Sequence, residues 1–491
     1  MRRTVTSLLL AASASLLALG AAHAQDKAPF TYQQMVGLDR INGMKVDPSG
    51  RYIVIDVRAT DVAANKGVTS LWLKDLKTPD TPEIKLAASE GGAGDAQWSP
   101  DGTTIYFLSS RGGSSQIWKT DLTGATATQV TDLPLDVSAY RLTPDGKGIV
   151  LSLSVFPECK GDEIACTVQK QAARKADKAT GMVYDKLFVR HWDTWADGTR
   201  NHLFYQALSG GAPVALTDGF DGDVPSKPFG DEGDFFISPD SRTVYMSARL
   251  AEKTEPWSTN FDIYSVPVTG GALTDLTAAN PAWDAAPRVS PDGKTLAYTA
   301  QKRPGFESDR FDLMLRDLSS GKTIPLASDW DHTVAGLQWA KDGKSLLVDS
   351  DDHGKHLLFR VEVKTGKITQ LSKDGDMVAY EETPQGLVFL KNSLKRPNTL
   401  YLAANKAAYV DDGAKNLTAF DSVLDTLAEG DYQQFKFKGW NDEDVYGYVM
   451  KPANYQAGKT YPVAFIVHGG PQVAFGDGWS FRWNPETYAG E

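Results

Sequence analysis

His468, Gly469 and Gly470 follow directly on the apolar run VAFIV (463–467), within the stretch YPVAFIVHGGPQ (461–472). A run that is apolar at both alternating positions is expected as a strand covered on both faces. Two glycines at its end carry no Cβ, so the backbone there can approach a substrate closely. The plain alternative is a turn that merely ends a strand.

Other groupings also combine residues able to do chemistry. Arg190, His191 and Trp192, with Trp195 close by, form a cationic, aromatic cluster suited to holding a peptide terminus. The alternative is that Trp192 and Trp195 pack their segment down while Arg190 pairs with Asp185 or Asp193. Asp349, Asp351, Asp352, His353 and His356 bring carboxylates and imidazoles together, but in neither an H-E-x-x-H nor an EF-hand order. They are expected as a polar turn, with no metal. EGGAGD (90–95) lacks the G-x-G-x-x-G spacing, and no cofactor is expected. Cys159 and Cys166 are the two cysteines of the chain. An oxidising compartment would favour a disulfide between them, contributing about 2–3 kcal/mol; two isolated thiols are the alternative.

That compartment is suggested by the first residues. MRRTVTSLLLAASASLLALGAAHAQD has two arginines, an apolar run and Ala-His-Ala at 22–24, the pattern of a cleaved export signal over 1–24. The run is short for a bilayer span, so no membrane attachment is expected after cleavage, and the location is periplasmic or secreted. With 62 acidic and 51 basic side chains the net charge is −11, and no Lys/Arg run tracks phosphates. Nucleic acid is excluded as an expected partner. At 491 residues the chain is too long for one core, so at least two domains are required.

A repeat positions most of these residues. It reads VDPSGRYIVI from Val46, WSPDGTTIYFLS from Trp98, LTPDGKGIVLSL from Leu142, ISPDSRTVYMSA from Ile237, VSPDGKTLAYTA from Val289 and WAKDGKSLLVDS from Trp339. A seventh, degenerate copy is ETPQGLVFLKN from Glu382. Pro presets φ for a tight turn, Asp bonds locally and Gly accepts positive φ, so each copy is a hairpin corner. Further apolar segments such as QIWKTDL and LLFRVEV follow, giving about four strands per unit at a period of roughly 40–50 residues. The expectation is an all-β, seven-bladed β-propeller over 25–427, with a partly helical insertion at about 156–200. From 428 to 491 the pattern changes to two extended segments and the buried strand VAFIV, as at the beginning of an α/β domain.

A propeller running into such a strand and HGGP resembles the prolyl oligopeptidase family of serine peptidases. YDKLFVRHWDTWADGTRNHLF (184–204), HGGPQ (468–472) and GDGWSFRWNPE (476–486) resemble its exported bacterial dipeptidyl-peptidase and acylaminoacyl-peptidase branch. The resemblance implies an α/β-hydrolase domain, begun at 428–491 and incomplete. It implies that His468, Gly469 and Gly470 lie beside an oxyanion hole, and that the substrates are short peptides. It further implies a Ser, Asp and His triad, but no G-x-S-x-G elbow occurs in these residues. The chain is therefore expected to be a truncated, inactive form of a peptidase. Acids holding a substrate ammonium would be sought at Glu158, Asp162 or Glu163. Two other readings stand beside this one: a non-catalytic periplasmic propeller scaffold, and an esterase of the same hydrolase fold. Oligomerisation is left open.

Overall fold

In the computed structural model, residues 27–404, 408–470 and 473–490 are described. The export signal expected at 1–24, and Pro471 and Gln472 of the HGGPQ stretch, lie outside them.

Local turn chemistry builds the framework. At the corner after Trp98, Ser99 donates from Oγ to Asp101 Oδ1 at 2.5 Å, and Gly102 closes the turn with its N–H on Ser99 O at 2.8 Å. Gly102 has φ +70°, a backbone state that a Cβ would strain. The Ser290–Asp292 and Ser238–Asp240 corners repeat the hydroxyl-to-carboxylate bond at 2.6 and 2.5 Å. In the latter, Ser241 takes the glycine position with φ +62°.

Every corner named from the sequence joins the first and second strands of a four-stranded antiparallel unit. The units comprise Arg40–Val46, Tyr52–Asp61, Lys66–Asp75 and Ile84–Lys85; then Gly94–Trp98, Thr104–Ser109, Gln116–Asp121 and Thr128–Gln129. The third has Val137–Leu142, Gly148–Val155, Arg200–Ala207 and Val214–Ala215, with the insertion between its second and third strands. Four further units start at Phe235, Asp284, Gly336 and Asp376, the last two joined by the single bridge His356↔Asp376.

Apolar side chains alternate to both faces of each unit and pack between neighbours. Val54, Leu71, Ile105 and Phe107 lie between the first and second units, and Val150, Leu203, Val244 and Met246 between the third and fourth. The cycle returns on itself, because Ile41, Ile53 and Ile55 of the first unit pack on Val388, Leu390 and Leu400 of the seventh. Asn398 Nδ2 donates to Ile41 O at 2.9 Å across that seam. No backbone ladder crosses it among the described residues. The seam is held by side chains, at about 25 cal/mol per Å² of buried apolar surface.

Two features differ from the sequence reading. Residues 27–38, placed with the repeats, do not enter the first unit. Ala28–Pro29 pairs in parallel with Leu427–Ala428, and Phe30, Met35 and Leu38 join Leu424, Leu427, Trp479 and Phe481 in one cluster. The chain thus enters and leaves the repeats through a common stalk. VAFIV, in turn, forms no strand: Val463, Phe465 and Val467 are 88, 87 and 68% exposed. A strand needs a hydrogen-bonded neighbour, and the described residues offer this segment none. The extended segments before it do pair, as the hairpin Tyr432–Lys438 and Asp444–Met450.

Candidate functional site

Strand direction sorts the loops into two ends. First strands run toward the corners, so all corners lie at one end of the units. Second-to-third connections and both chain entries lie at the other. The C-terminal segment docks on that second end. Tyr448 OH donates to Gly354 O at 3.0 Å, and the Asp477 N–H donates to the same oxygen at 2.7 Å. Asp477 Oδ1 accepts from Leu394 N at 3.1 Å and from Tyr432 OH at 2.8 Å.

Beneath this docking point lies the carboxylate and imidazole cluster. His356 holds Asp349 Oδ1 at 2.8 Å and Asp351 Oδ1 at 2.7 Å, one on each ring nitrogen, while Tyr380 OH donates to Asp349 Oδ2 at 2.8 Å. Burial alone would lower the imidazole, but the two carboxylates outweigh it and push its pKa up to about 10. His353 pairs instead with Asp352. These side chains are engaged with one another as an ion-pair cluster supporting the turn.

The insertion reaches the same end. Its helix, Glu163–Ala176, is fastened at its first turn by the Cys159–Cys166 disulfide, with Cα atoms 5.6 Å apart. Glu163 is buried: its Oε1 meets His202 Nδ1 at 2.8 Å and accepts from Gly219 N at 2.9 Å, while His202 Nε2 meets Phe220 O at 2.6 Å. Glu158 is paired with Lys170. Glu158 and Glu163 are thus engaged within the protein, while Asp162 stands at the N-cap of the helix with its side chain bonding none of the first-turn N–H groups.

Beyond the helix, Arg190–His191 pairs with Thr194–Trp195 as a small hairpin, and Trp192 sits at its bend with φ +47°. Trp192 is 69% exposed and meets Phe229 at 5.2 Å and His191 at 4.8 Å between ring centroids. The Arg190 guanidinium lies over the Trp195 ring at 5.6 Å, and no carboxylate pairs with it among the described residues. The pairing of Arg190 with Asp185 or Asp193 is therefore not what the structure contains. Trp192 and Trp195 present aromatic surface outward.

The hairpin returns to the third unit through Arg200, which sequence reasoning missed. Its guanidinium meets Asp221 at 3.0 Å and Asp223 at 2.9 Å from one connection and Glu255 at 2.7 Å from another. Burial alone would lower its pKa, but Glu255 and Asp223 outweigh burial and hold it above the ordinary value. A cavity of about 500 Å³ opens beside this cluster, lined by Asp185, Lys186, Phe220, Asp221, Leu250 and Lys253. Arg200, its acids and Phe229 gave no sequence signal, because they converge from connections without a motif.

His468, Gly469 and Gly470 lie in the exposed C-terminal segment. His468 Nδ1 is 2.9 Å from Gly469 O, its ring is 6.0 Å from Phe475, and Gly470 has φ +126°. No contact joins them to Arg190, His191 or Trp192 among the described residues. No group of His, Cys, Asp and Glu with metal-ligating geometry occurs among those residues either.

No protein-family model matches the chain. Over 498 aligned residues it is 28% identical to dipeptidyl-peptidase 5 of Aspergillus fumigatus, covering 96% of this chain and 68% of that protein. It is 27% identical to dipeptidyl-peptidase 5 of Porphyromonas gingivalis, covering 92% of this chain and 65% of that one. The relatives are peptidases. The fold is similar to that of the Pyrococcus horikoshii acylaminoacyl peptidase, with a TM-score of 0.70 at 15% identity, covering 93% of this chain and 64% of that one. It is also similar to the β-propeller domain of the Trilobed protease from Pyrococcus furiosus, which has an open velcro topology. There the TM-score is 0.51 at 13% identity, covering 78% of this chain and 96% of that domain. The chain thus spans about two thirds of the length of the peptidases it matches. Among its described residues no helix is long and apolar enough to cross a membrane.

Proposed function

We propose that this chain is the substrate-admitting part of an exported, periplasmic or secreted serine-type peptidase that acts on short peptides as a dipeptidyl or acylaminoacyl exopeptidase. The carrying observation is the similarity to dipeptidyl-peptidase 5 across 96% of the chain. In this reading the seven four-stranded units are the blades of a seven-bladed propeller closed by side-chain packing at the 1–7 seam. Residues from 428, together with 27–38, begin the α/β-hydrolase domain. His468, Gly469 and Gly470 form the oxyanion-side loop, whose backbone N–H groups would stabilise charge on the scissile carbonyl oxygen. Arg190, His191 and Trp192 offer a cationic and aromatic surface to a peptide at the same end. Exposed aromatic anchors of this kind carry most of the affinity in peptide recognition.

No residue here is assigned the nucleophile, since no G-x-S-x-G elbow is present. The test is direct. A fluorophosphonate probe is expected to leave the 491-residue chain unlabelled, while tripeptides quench its tryptophan fluorescence and Trp192→Ala weakens that binding about tenfold or more. Stoichiometric labelling, or the absence of any peptide binding, overturns the reading.

A further inference from the structure

Two arginines of the first unit face each other without an acid. Arg40, in the innermost strand Arg40–Val46, lies directly opposite Arg58 of the strand Tyr52–Asp61. Like charges opposite one another across an antiparallel pair are destabilising. No carboxylate pairs with either guanidinium among the described residues, although the chain carries 62 acidic side chains against 51 basic ones. Asp56, two residues from Arg58, turns to the backbone, accepting from Ala96 N at 3.5 Å.

The surroundings hold both groups in place. Arg40 Cζ lies 4.1 Å from the centre of the Phe481 ring, so the C-terminal segment packs flat on it. Arg40 Nε is buried with no hydrogen-bond partner, a donor stripped of water and left unused. The Arg58 guanidinium rests against Gly67, where a Cβ would lie 2.0 Å from its Cζ. Gly67 in turn lines an open cleft of about 630 Å³, shared with Gly92, Gly94 and the hydroxyl-bearing Thr69, Ser109 and Ser138. The carboxylates Asp95 and Asp136 also line it, and Asp136 accepts from Ser115 N at 2.8 Å. The two arginines stand behind Gly67 rather than in the lining. Arg111 stands on the Ser109 side of that cleft, donating to Ser109 Oγ at 2.9 Å, and no carboxylate pairs with it either. The cleft opens at the end where the C-terminal segment docks.

Two guanidiniums facing each other without an acid, one of them resting on the glycine that borders a cleft of peptide size, match a planar anion. We propose that Arg40 and Arg58 form a subsite for a carboxylate carried by a bound peptide, supplied either by its C-terminus or by an Asp or Glu side chain. The ligand would complete the cross-strand pair by neutralising the repulsion. This inference rests on the peptidase reading above.

The experiment titrates the whole chain with trialanine as free acid, with trialanine amide, and with the amide of Ala-Glu-Ala, following tryptophan fluorescence. Succinate serves as a peptide-free probe by its effect on Tm. At least one carboxylate peptide is expected to bind tenfold or more tighter than trialanine amide. Preference for the free acid identifies the C-terminus as the source, and preference for Ala-Glu-Ala amide identifies the side chain. Arg40→Met and Arg58→Met are each expected to abolish that preference and the succinate response while raising Tm without ligand, because the like-charge pair is gone. A purely structural role predicts a lower Tm instead. If all three peptides bind equally, or the preference survives in both variants, the carboxylate subsite is overturned and the peptidase reading stands. If no peptide binds but succinate still raises Tm in an Arg40- and Arg58-dependent way, the peptidase reading falls and the anion site stands. If neither acts, both fall.

Discussion

Replacing His356 by Gln should remove a proton-linked part of the stability of this chain. The ring lies between Asp349 and Asp351 at 2.8 and 2.7 Å, and its pKa is pushed from 6.5 up to about 10. A difference of that size between folded and unfolded states corresponds to about 4–5 kcal/mol of linkage. Solvent screens part of it, since the ring is 22% exposed and Asp351 82% exposed, so about 2–3 kcal/mol is the expected contribution. The folded state binds the proton more tightly than the unfolded one. The stabilisation is therefore complete below pH 6.5 and drains away as pH rises through about 10. Urea unfolding followed by tryptophan fluorescence at intervals between pH 6 and 10.5 supplies the assay. The wild-type advantage over His356→Gln should be largest at pH 6 and shrink toward pH 10. Buried carboxyls such as Asp56 and Asp284, raised to about 7 chiefly by desolvation, also titrate in this window, but they do so in both proteins and cancel in the difference. A difference that does not change with pH refutes the argument, because it would mean that the imidazolium is not held by its carboxylates.

Further outcomes follow from other clusters. Arg200→Met removes the cation shared by Asp221, Asp223 and Glu255, leaving them to Lys186, Lys227 and Arg249, and should cost about 1.5–3 kcal/mol while exposing 177–199 to limited proteolysis. Cys159→Ser with Cys166→Ser should lower stability by about 2–3 kcal/mol, read by thermal unfolding with and without reductant, which should no longer differ for the variant. Asp284→Asn should flatten the pH dependence on the neutral side. The raised carboxyl favours the folded state below pH 3.8, and that advantage is lost as pH rises through about 7, so the variant should lose less stability between pH 4 and 8.

The repeat was legible because its information is local. Ser99, Pro100, Asp101 and Gly102 make their turn from bonds spanning a few residues, and the same bonds recur wherever the motif recurs. The placement of Arg190, His191 and Trp192 on a segment inserted between two strands was legible for the same reason. The burial of VAFIV was not so determined. An apolar run only proposes a strand, and pairing requires neighbours that no other described segment supplies.

Long-range convergence lay beyond sequence patterns altogether. Arg200 meets acids from positions 221, 223 and 255, and residues 27–38 pack on 424–427 and 479–481. Arg40 and Arg58, harmless when read along the chain, become neighbours only through the register of two strands. The sequence alone determined corners, strand units and an inserted segment bearing an aromatic cluster, because these depend on short-range sterics and hydrogen bonds. Which charges meet, which are left without a partner, and where an anion could enter were decided only by tertiary structure, since Coulombic and desolvation energies depend on distances that chain order does not contain.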